Sequence, residues 1–597
     1  VTVRRPVRRV APALLTPALL TPALLILVLV LRGGQLAHRS FYGDDLVIPA
    51  RFRASGLWVP YDGHLMPGSA AVQIAADALA PLQWWLPALV ILVATALSAL
   101  LWWRTLSTWP PTAARPVLRT TALVALVFSP FLMVGSGWWS AALTALTWQL
   151  TAAAVILVLV RTSRWGVLPS SAAVCGVLLV GLLMTERVLT VVPAVLVLTV
   201  LAGRFRWRRW VAPVLLTVAW AALYLGLGGF TPSDRDAPAG DGVTSGIVDA
   251  LRTTLLPGAV GGPWTWERWG TSHPFPTTPV GLQIIAAVLV ASAVVVVVRR
   301  TGLRRALPTF LFPLGYLAVV LVLLAVGRGG SGSSDVLVRG LHYWSDWWTV
   351  AVLSVTVGLA GSDRAAGSAR APRPVGGLLR SIPAALFLCS SVMATATWTH
   401  AWRDDPTADY LAGLRETVAD GTPFLDQPVP LEILTPLNHP WNRISRVAGS
   451  LAPAGGTATV TDRPVIIGLD GRPVPAEVSP RAHTDAGPVP GCGTRVEVGR
   501  PQLVNLSPAL PYGDWTWEFN AVASAPVTVT LSTPNGLEDE ASWRSRAVDV
   551  PVGTTLEQRW VTLDGGGGTI LVEIHGASPG THLCLGAGAV GSPVPRM

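Results

Sequence analysis

The chain has 597 residues, of which 51% are hydrophobic and only 13% charged, with a mean hydropathy of +0.51. No soluble multidomain protein of this length carries such a composition, so the sequence predicts a polytopic α-helical membrane protein. The formal net charge of +10 rests on arginine alone, and the lack of lysine excludes P-loop phosphate and Schiff-base chemistry.

Arg4, Arg5, Arg8 and Arg9 precede an apolar run over residues 11–31. It has spanning length and no small-residue cleavage site before Arg32, which predicts an uncleaved signal anchor with its N-terminus inside. Further spans are predicted at 84–103, 117–135, 138–160, 166–184, 188–202, 210–230, 279–298, 306–326, 343–361 and 376–397, about eleven in all.

Counted from an inside N-terminus, the even-numbered loops should hold the positive charge. They carry Arg104 and Arg115, Arg161 and Arg164, Arg204 to Arg209, Arg299 to Arg305, and Arg364 to Arg373. This pattern reports membrane topology, and no nucleic-acid partner is expected. The expected location is the plasma membrane, with a cytoplasmic N-terminus and an extracytoplasmic C-terminal domain. Trp84–Trp85, Trp102–Trp103, Trp138–Trp139 and Trp347–Trp348 sit near span ends, as interfacial anchors do. Cys175 and Cys389 fall in apolar spans, where a cysteine reads as a small buried hydrophobe.

Two outer loops are long, 32–83 and 231–278. The first carries FYGDDL and YDGHLMPG, and so places Asp44, Asp45, Asp62 and His64 beside a lipid surface. A carboxylate at the rim of a low-dielectric cavity can serve as general base toward an acceptor hydroxyl. Asp44 and Asp45 are adjacent and point apart, so one would face the reaction while the other holds the loop; the competing reading is a solvated Gly-Asp-Asp turn. His64 is a candidate substrate contact or an exposed interfacial histidine, and Asp62 reads as a turn residue. A divalent cation, Mg or Mn, on Asp44 or Asp45 stays open.

Glu186 and Arg187 interrupt two apolar runs at a predicted outer turn, where ionisable groups form a structural ion pair or part of a phosphate site. Arg328 and Arg339 flank another outer loop, where a guanidinium fork suits a lipid-linked phosphate or anchors the interface. His342 lies in the same RGLHYWSD stretch and is a candidate substrate contact. The G-x-G-x-x-G string at 327–332 follows a membrane span and not a strand, so it is no dinucleotide fingerprint.

The membrane part is expected to occupy 1–398, followed by a mixed linker region at 399–456 and, at 457–597, a run of short alternating segments separated by DG, NG and GGGG turns. That spacing predicts a β-sandwich of about 130 residues. In an oxidising compartment Cys492 and Cys584 would join as a disulfide. Trp515, Trp517 and Trp560 could offer stacking faces to a glycan, although strand periodicity puts them in a core.

An acidic pair in the first large outer loop, about eleven spans, Arg339 before a late span and an appended β-sandwich together resemble the GT-C glycosyltransferases. The arabinosyl- and mannosyltransferases of actinobacterial cell walls come nearest among them. The resemblance implies sugar transfer from a polyprenyl-phosphate donor to a cell-envelope glycan or lipid acceptor on the outer face, with Asp44 or Asp45 as base. Arg187, Arg328 and Arg339 would then meet the donor phosphate, His64, Glu186 and His342 would contact substrate, and the β-sandwich would be a jelly-roll or carbohydrate-binding-like module. Two other readings differ in where charge should sit. A transporter or flippase needs ionisable groups near the bilayer midplane, and a non-catalytic envelope scaffold needs a flat, solvated rim.

Overall fold

The computed structural model of the chain describes residues 17–229, 246–328, 338–365, 374–451 and 456–596. Contacts divide the chain into two compact units, Val1–Asp405 and Pro406–Met597.

The first unit is helical. Among the described residues, 8 helices are long and apolar enough to cross a membrane, and the chain is a multi-pass membrane protein. In chain order its first ten helices are α1 (Pro17–Ala37), α2 (Asp44–Ser55), α3 (Pro67–Leu79), α4 (Trp85–Thr108), α5 (Pro116–Val127), α6 (Pro130–Gly135), α7 (Trp139–Arg161), α8 (Val167–Met184), α9 (Val191–Leu201) and α10 (Val211–Gly226). The short helical segments Ala250–Leu255 and Leu256–Ala259 follow, and then the long helices Val280–Thr301, Leu303–Arg328, Ser345–Ala365 and Pro374–Ala401.

Among the described residues the first helix continues past the end of its apolar run, to Ala37, and so takes Arg32 inside it. The segment after it holds two helices, α2 and α3, where the sequence reading placed a loop. The predicted 117–135 span is found as Pro116–Gly135, with an interruption within it, because Pro130 disfavours helical geometry at Ser129, which adopts φ −56°, ψ 129° and starts α6 anew. The arginine-bearing turns do meet at one end. Arg115 donates to the carbonyl of Ala360, Arg305 to that of Gly361, and Arg206 and Arg209 both reach the carbonyl of Ser163.

Three of the paired tryptophans, Trp102, Trp138 and Trp139, are buried in protein and so are not belt anchors. Trp102 and Trp139 are fully buried, and Trp102 donates to Gln149 at 3.1 Å. Trp84, Trp347 and Trp348 each donate Nε1–H to a backbone carbonyl, of Leu36, Pro313 and Ala125. Trp85 alone of those named is more than half exposed. An indole N–H inside a bundle needs an acceptor, and carbonyls of neighbouring helices supply it. Cys389 is exposed and Cys175 half-buried, so neither is the core hydrophobe expected.

The second unit is β-rich. Its main sheet is 9-stranded, with long strands Gln502–Ala523 and Glu557–His575 paired antiparallel along most of their length. The register shifts at Gly565–Gly567, inside the GGGG run that the sequence suggested as a turn; here it bends a continuous strand. Alternate residues point inward, and Trp517, Phe519, Val561, Leu563 and Ile570 join one core. Trp517 is therefore packing, while Trp515 lies at the core's edge.

Cys492 and Cys584 form the expected disulfide across a sequence separation of 92. Removing it by Cys492→Ser should destabilise the β-rich unit by about 2–4 kcal/mol. Denaturation of the full chain, followed by fluorescence of its tryptophans with and without reductant, checks this: the variant should match the reduced wild type.

Candidate functional site

At the bundle end opposite the arginine turns, the 38–83 segment folds back over the helix termini. Gly43, at φ 50°, makes the sharp entry into α2 and leaves Asp44 and Asp45 in its first turn, where the helix N-terminus favours negative charge.

The two aspartates have separate jobs. Asp45 is buried, and its carboxylate accepts from three backbone amides: Tyr42 at 3.0 Å, Trp139 at 3.3 Å and Ser140 at 2.8 Å. Trp139 and Ser140 open α7, so Asp45 caps that helix from a distant part of the chain. Burial pushes its carboxyl up to about 6, against the pull of the amide donors. Asp44 is exposed, and the Tyr61 hydroxyl donates to its Oδ1 at 2.7 Å. Burial and the charge of Asp44 hold the Tyr61 hydroxyl far above its usual range, so it remains a donor.

Tyr61 reaches that position through a tight turn. Asp62 and Gly63 adopt φ 48° and φ 78°, and Tyr61 and His64 exchange backbone hydrogen bonds of 2.9 and 2.8 Å. Two consecutive positive φ angles are what an Asp-Gly turn supplies, so Asp62 is indeed a turn residue. The turn delivers His64 to Glu186, with Nδ1 and Oε1 2.7 Å apart. Helix α3 then docks on the end of α8: Ser69 donates to the carbonyl of Met184 at 2.6 Å, and a Cβ at Gly68 would lie 2.9 Å from the carbonyl oxygen of Leu183. Gly68→Ala should therefore cost about 1–3 kcal/mol. A thermal midpoint equal to that of the wild type would show that α3 yields freely.

Glu186 and Arg187 do not pair with each other. The Arg187 guanidinium donates through Nη2 to Asp346 at 3.1 Å and to the carbonyl of Tyr343 at 3.4 Å, while Tyr316 donates to the other oxygen of Asp346 at 3.2 Å. Nε and Nη1 of Arg187 make no hydrogen bond among the described residues. Asp44, Tyr61, His64 and Glu186 thus form one polar chain, and Arg187, the next residue in sequence, forms a second with Asp346 and Tyr316.

His342, next to Tyr343, enters an aromatic cluster instead. Its ring lies 5.0 Å from Trp138 and 5.4 Å from His273, while Tyr42 sits 5.5 Å from Trp138 and 5.1 Å from Trp402. Burial, with Arg39 nearby, pushes His273 down to about 3, so its ring is neutral. Arg339 braces the hairpin of β1 (Trp266–Glu267) and β2 (Phe275–Pro276), donating to Glu267 at 2.8 Å and to the carbonyl of Pro276 at 2.6 Å. Its guanidinium is engaged in holding that hairpin beside His273. The side chain of Arg328 lies outside the described residues.

Sequence reasoning missed Tyr61, Asp346, Tyr42 and His273. Asp346 carried a signal, an acid within the apolar WSDWW run. Tyr61 and His273 carried none, since their roles come from contacts far away in sequence.

Both oxygens of Asp45 are taken by backbone amides, so of the acidic pair Asp44 is the carboxylate that could join waters and a donor phosphate around a divalent cation. Among the described residues, His439, Asp514 and Asp564 of the β-rich unit have metal-ligand spacing, but Arg443 pairs with Asp514 and supplies the positive charge there.

No family model and no curated protein matches the sequence. Among solved structures, the chain matches the crystal structure of ArnT from Cupriavidus metallidurans in the apo state, with 14% identity and a TM-score of 0.38 over 71% of this chain and 85% of that one.

Proposed function

We propose that the chain is a GT-C-like integral-membrane glycosyltransferase that moves a sugar from a polyprenyl-phosphate donor to a cell-envelope glycan or lipid acceptor, with Asp44 as general base. The observation that carries this reading is the division of labour between neighbouring carboxylates. Asp45 holds the loop on α7, and Asp44 is left exposed beside Tyr61 in a polar chain that reaches Glu186, the neighbour of Arg187 in sequence.

In this reaction Asp44 takes the proton of the acceptor hydroxyl as its oxygen bonds to the anomeric carbon, and the bond from that carbon to the phosphate oxygen breaks. The leaving group is already an activated phosphate, so the protein need supply only deprotonation, alignment and countercharge. Arg187, with Nε and Nη1 uncommitted, is the countercharge, and Arg328 is a second candidate. Arg339 acts indirectly by holding the hairpin. His64 and Glu186 lie between base and countercharge, where they would contact the sugar, and His342 borders the aromatic floor.

The arginine turns face the cytoplasm in this reading, which puts the site and the C-terminal unit on the outer face of the plasma membrane. Glu186 and Arg187 lie in the turn Glu186–Thr190 at the same bundle end as Asp44, and so lend no support to a midplane transport site.

The test is reconstitution of the full chain in vesicles with radiolabelled polyprenyl-phosphate sugars, pentose and hexose, and envelope glycan acceptors. Label should pass to the acceptor with release of polyprenyl phosphate. Absence of transfer with every donor, by protein that binds them, would overturn the proposal.

A further inference from the structure

Asp346 lies in the first turn of the helix Ser345–Ala365, buried to 4% exposure, where the helix N-terminus favours its charge. Its Oδ1 accepts from Arg187 Nη2 at 3.1 Å and from the amide of Trp347 at 3.1 Å, while its Oδ2 faces the Tyr316 hydroxyl at 3.2 Å. An ionised side chain in a membrane bundle is costly unless it is partnered. The cation it meets here is Arg187.

The Tyr316 hydroxyl has one proton and two acceptors, Oδ2 of Asp346 and, at 2.9 Å, Oγ1 of Thr190. Thr190 donates its own proton to the carbonyl of Arg187 at 2.8 Å, and its oxygen also accepts from Trp148 Nε1 at 2.9 Å. Arg187 is therefore gripped at both ends: the guanidinium by Asp346 and the Tyr343 carbonyl, the backbone by Thr190. Tyr316 touches both grips. Tyr316 and Trp148 are buried and belong to the helix Leu303–Arg328 and to α7, so the supports of this one side chain come from separate helices.

We propose that Asp346 is a positioning residue for Arg187, supported by Tyr316 and Thr190, and that it sets the guanidinium in place before the donor phosphate arrives. A loose arginine has many rotamers, and fixing one of them in advance removes the entropic cost of ordering it during the reaction. This role depends on Arg187 being the countercharge proposed above, and Asp346 acts through that residue alone.

The test is a double-mutant cycle on sugar transfer by the full chain in vesicles, with each rate normalised to folded protein. Asp346→Ala should lower kcat about 10²-fold, the cost of displacing a catalytic group by about 1 Å. In an Arg187→Ala background the same change should cost nothing further. The loss should spare the KM for donor, because the substitution also takes a negative charge away from the phosphate site. Asp346→Asn keeps an oxygen for Arg187 Nη2 and an NH₂ for the Tyr316 oxygen, and should recover to about tenfold below the wild type, since the bond persists without its charge. A group that only stabilised the bundle would lower the folded fraction and leave the normalised rate alone. Equal losses with and without Arg187 overturn the role, as does a folded Asp346→Ala chain that turns over like the wild type. Wild-type transfer with an undiminished Arg187→Ala rate removes the countercharge and this role together, and no transfer by the wild type removes the whole reading. Should Asp346→Ala fail to fold, the same cycle with Tyr316→Phe decides: its loss should be about three- to tenfold and vanish beside Arg187→Ala, and an unchanged rate overturns the role.

Discussion

Asp44→Asn is expected to slow sugar transfer by about 10²–10⁴-fold, the usual worth of a positioned general base. The amide keeps an oxygen for the Tyr61 hydroxyl to donate to, so the loop geometry should persist, and the exposed position gives no reason for a loss of stability. Because the base acts only as the acceptor loses its proton, the change should fall on kcat and leave the KM for donor nearly unaltered. Transfer measured with the purified variant at saturating acceptor checks this. A rate within about threefold of the wild type, far below the 10²-fold expected, would take the base away from Asp44. Tyr61→Phe should show a smaller loss, about tenfold, since it removes one neutral donor that orients the carboxylate.

Asp45→Ala is expected to lower stability by roughly 3–9 kcal/mol, because it strands the amides of Tyr42, Trp139 and Ser140, at about 1–3 kcal/mol for each buried unsatisfied donor. Asp45→Asn should lie between that variant and the wild type. Its one carbonyl oxygen can serve Ser140, but its NH₂ meets the two remaining N–H groups as donor against donor. Unfolding of the full chain in detergent, read at several denaturant concentrations, measures both. The kinetic behaviour should separate the neighbours: folded Asp45→Asn protein should retain turnover, and folded Asp44→Asn protein should not. The reverse outcome would exchange their roles.

The class of the molecule was legible because membrane insertion imposes a composition. Apolar runs of spanning length, arginines in alternate turns and short alternating segments after residue 405 are local consequences of bilayer thickness, charge asymmetry and strand pleating. The Asp-Gly turn at 62–63 and the Cys492–Cys584 pair were legible for similar reasons, since each follows from residue chemistry and compartment. Three of the paired tryptophans were misread because a span's end in sequence does not say which face of the helix meets a neighbour. Trp102 and Trp139 turn inward to protein, and a one-dimensional pattern contains no such angle.

By itself the sequence determined a multi-pass helical protein with a β-rich C-terminal unit, and it placed an acidic pair, a histidine and an arginine at the loops of one bundle end. Only the tertiary structure decided which carboxylate is structural and that Arg187 faces Asp346 and not Glu186. The reason is range. Burial and partnership depend on helices some 90 to 160 residues away, as in the Asp45–Ser140 and Arg187–Asp346 contacts, and no local preference encodes them.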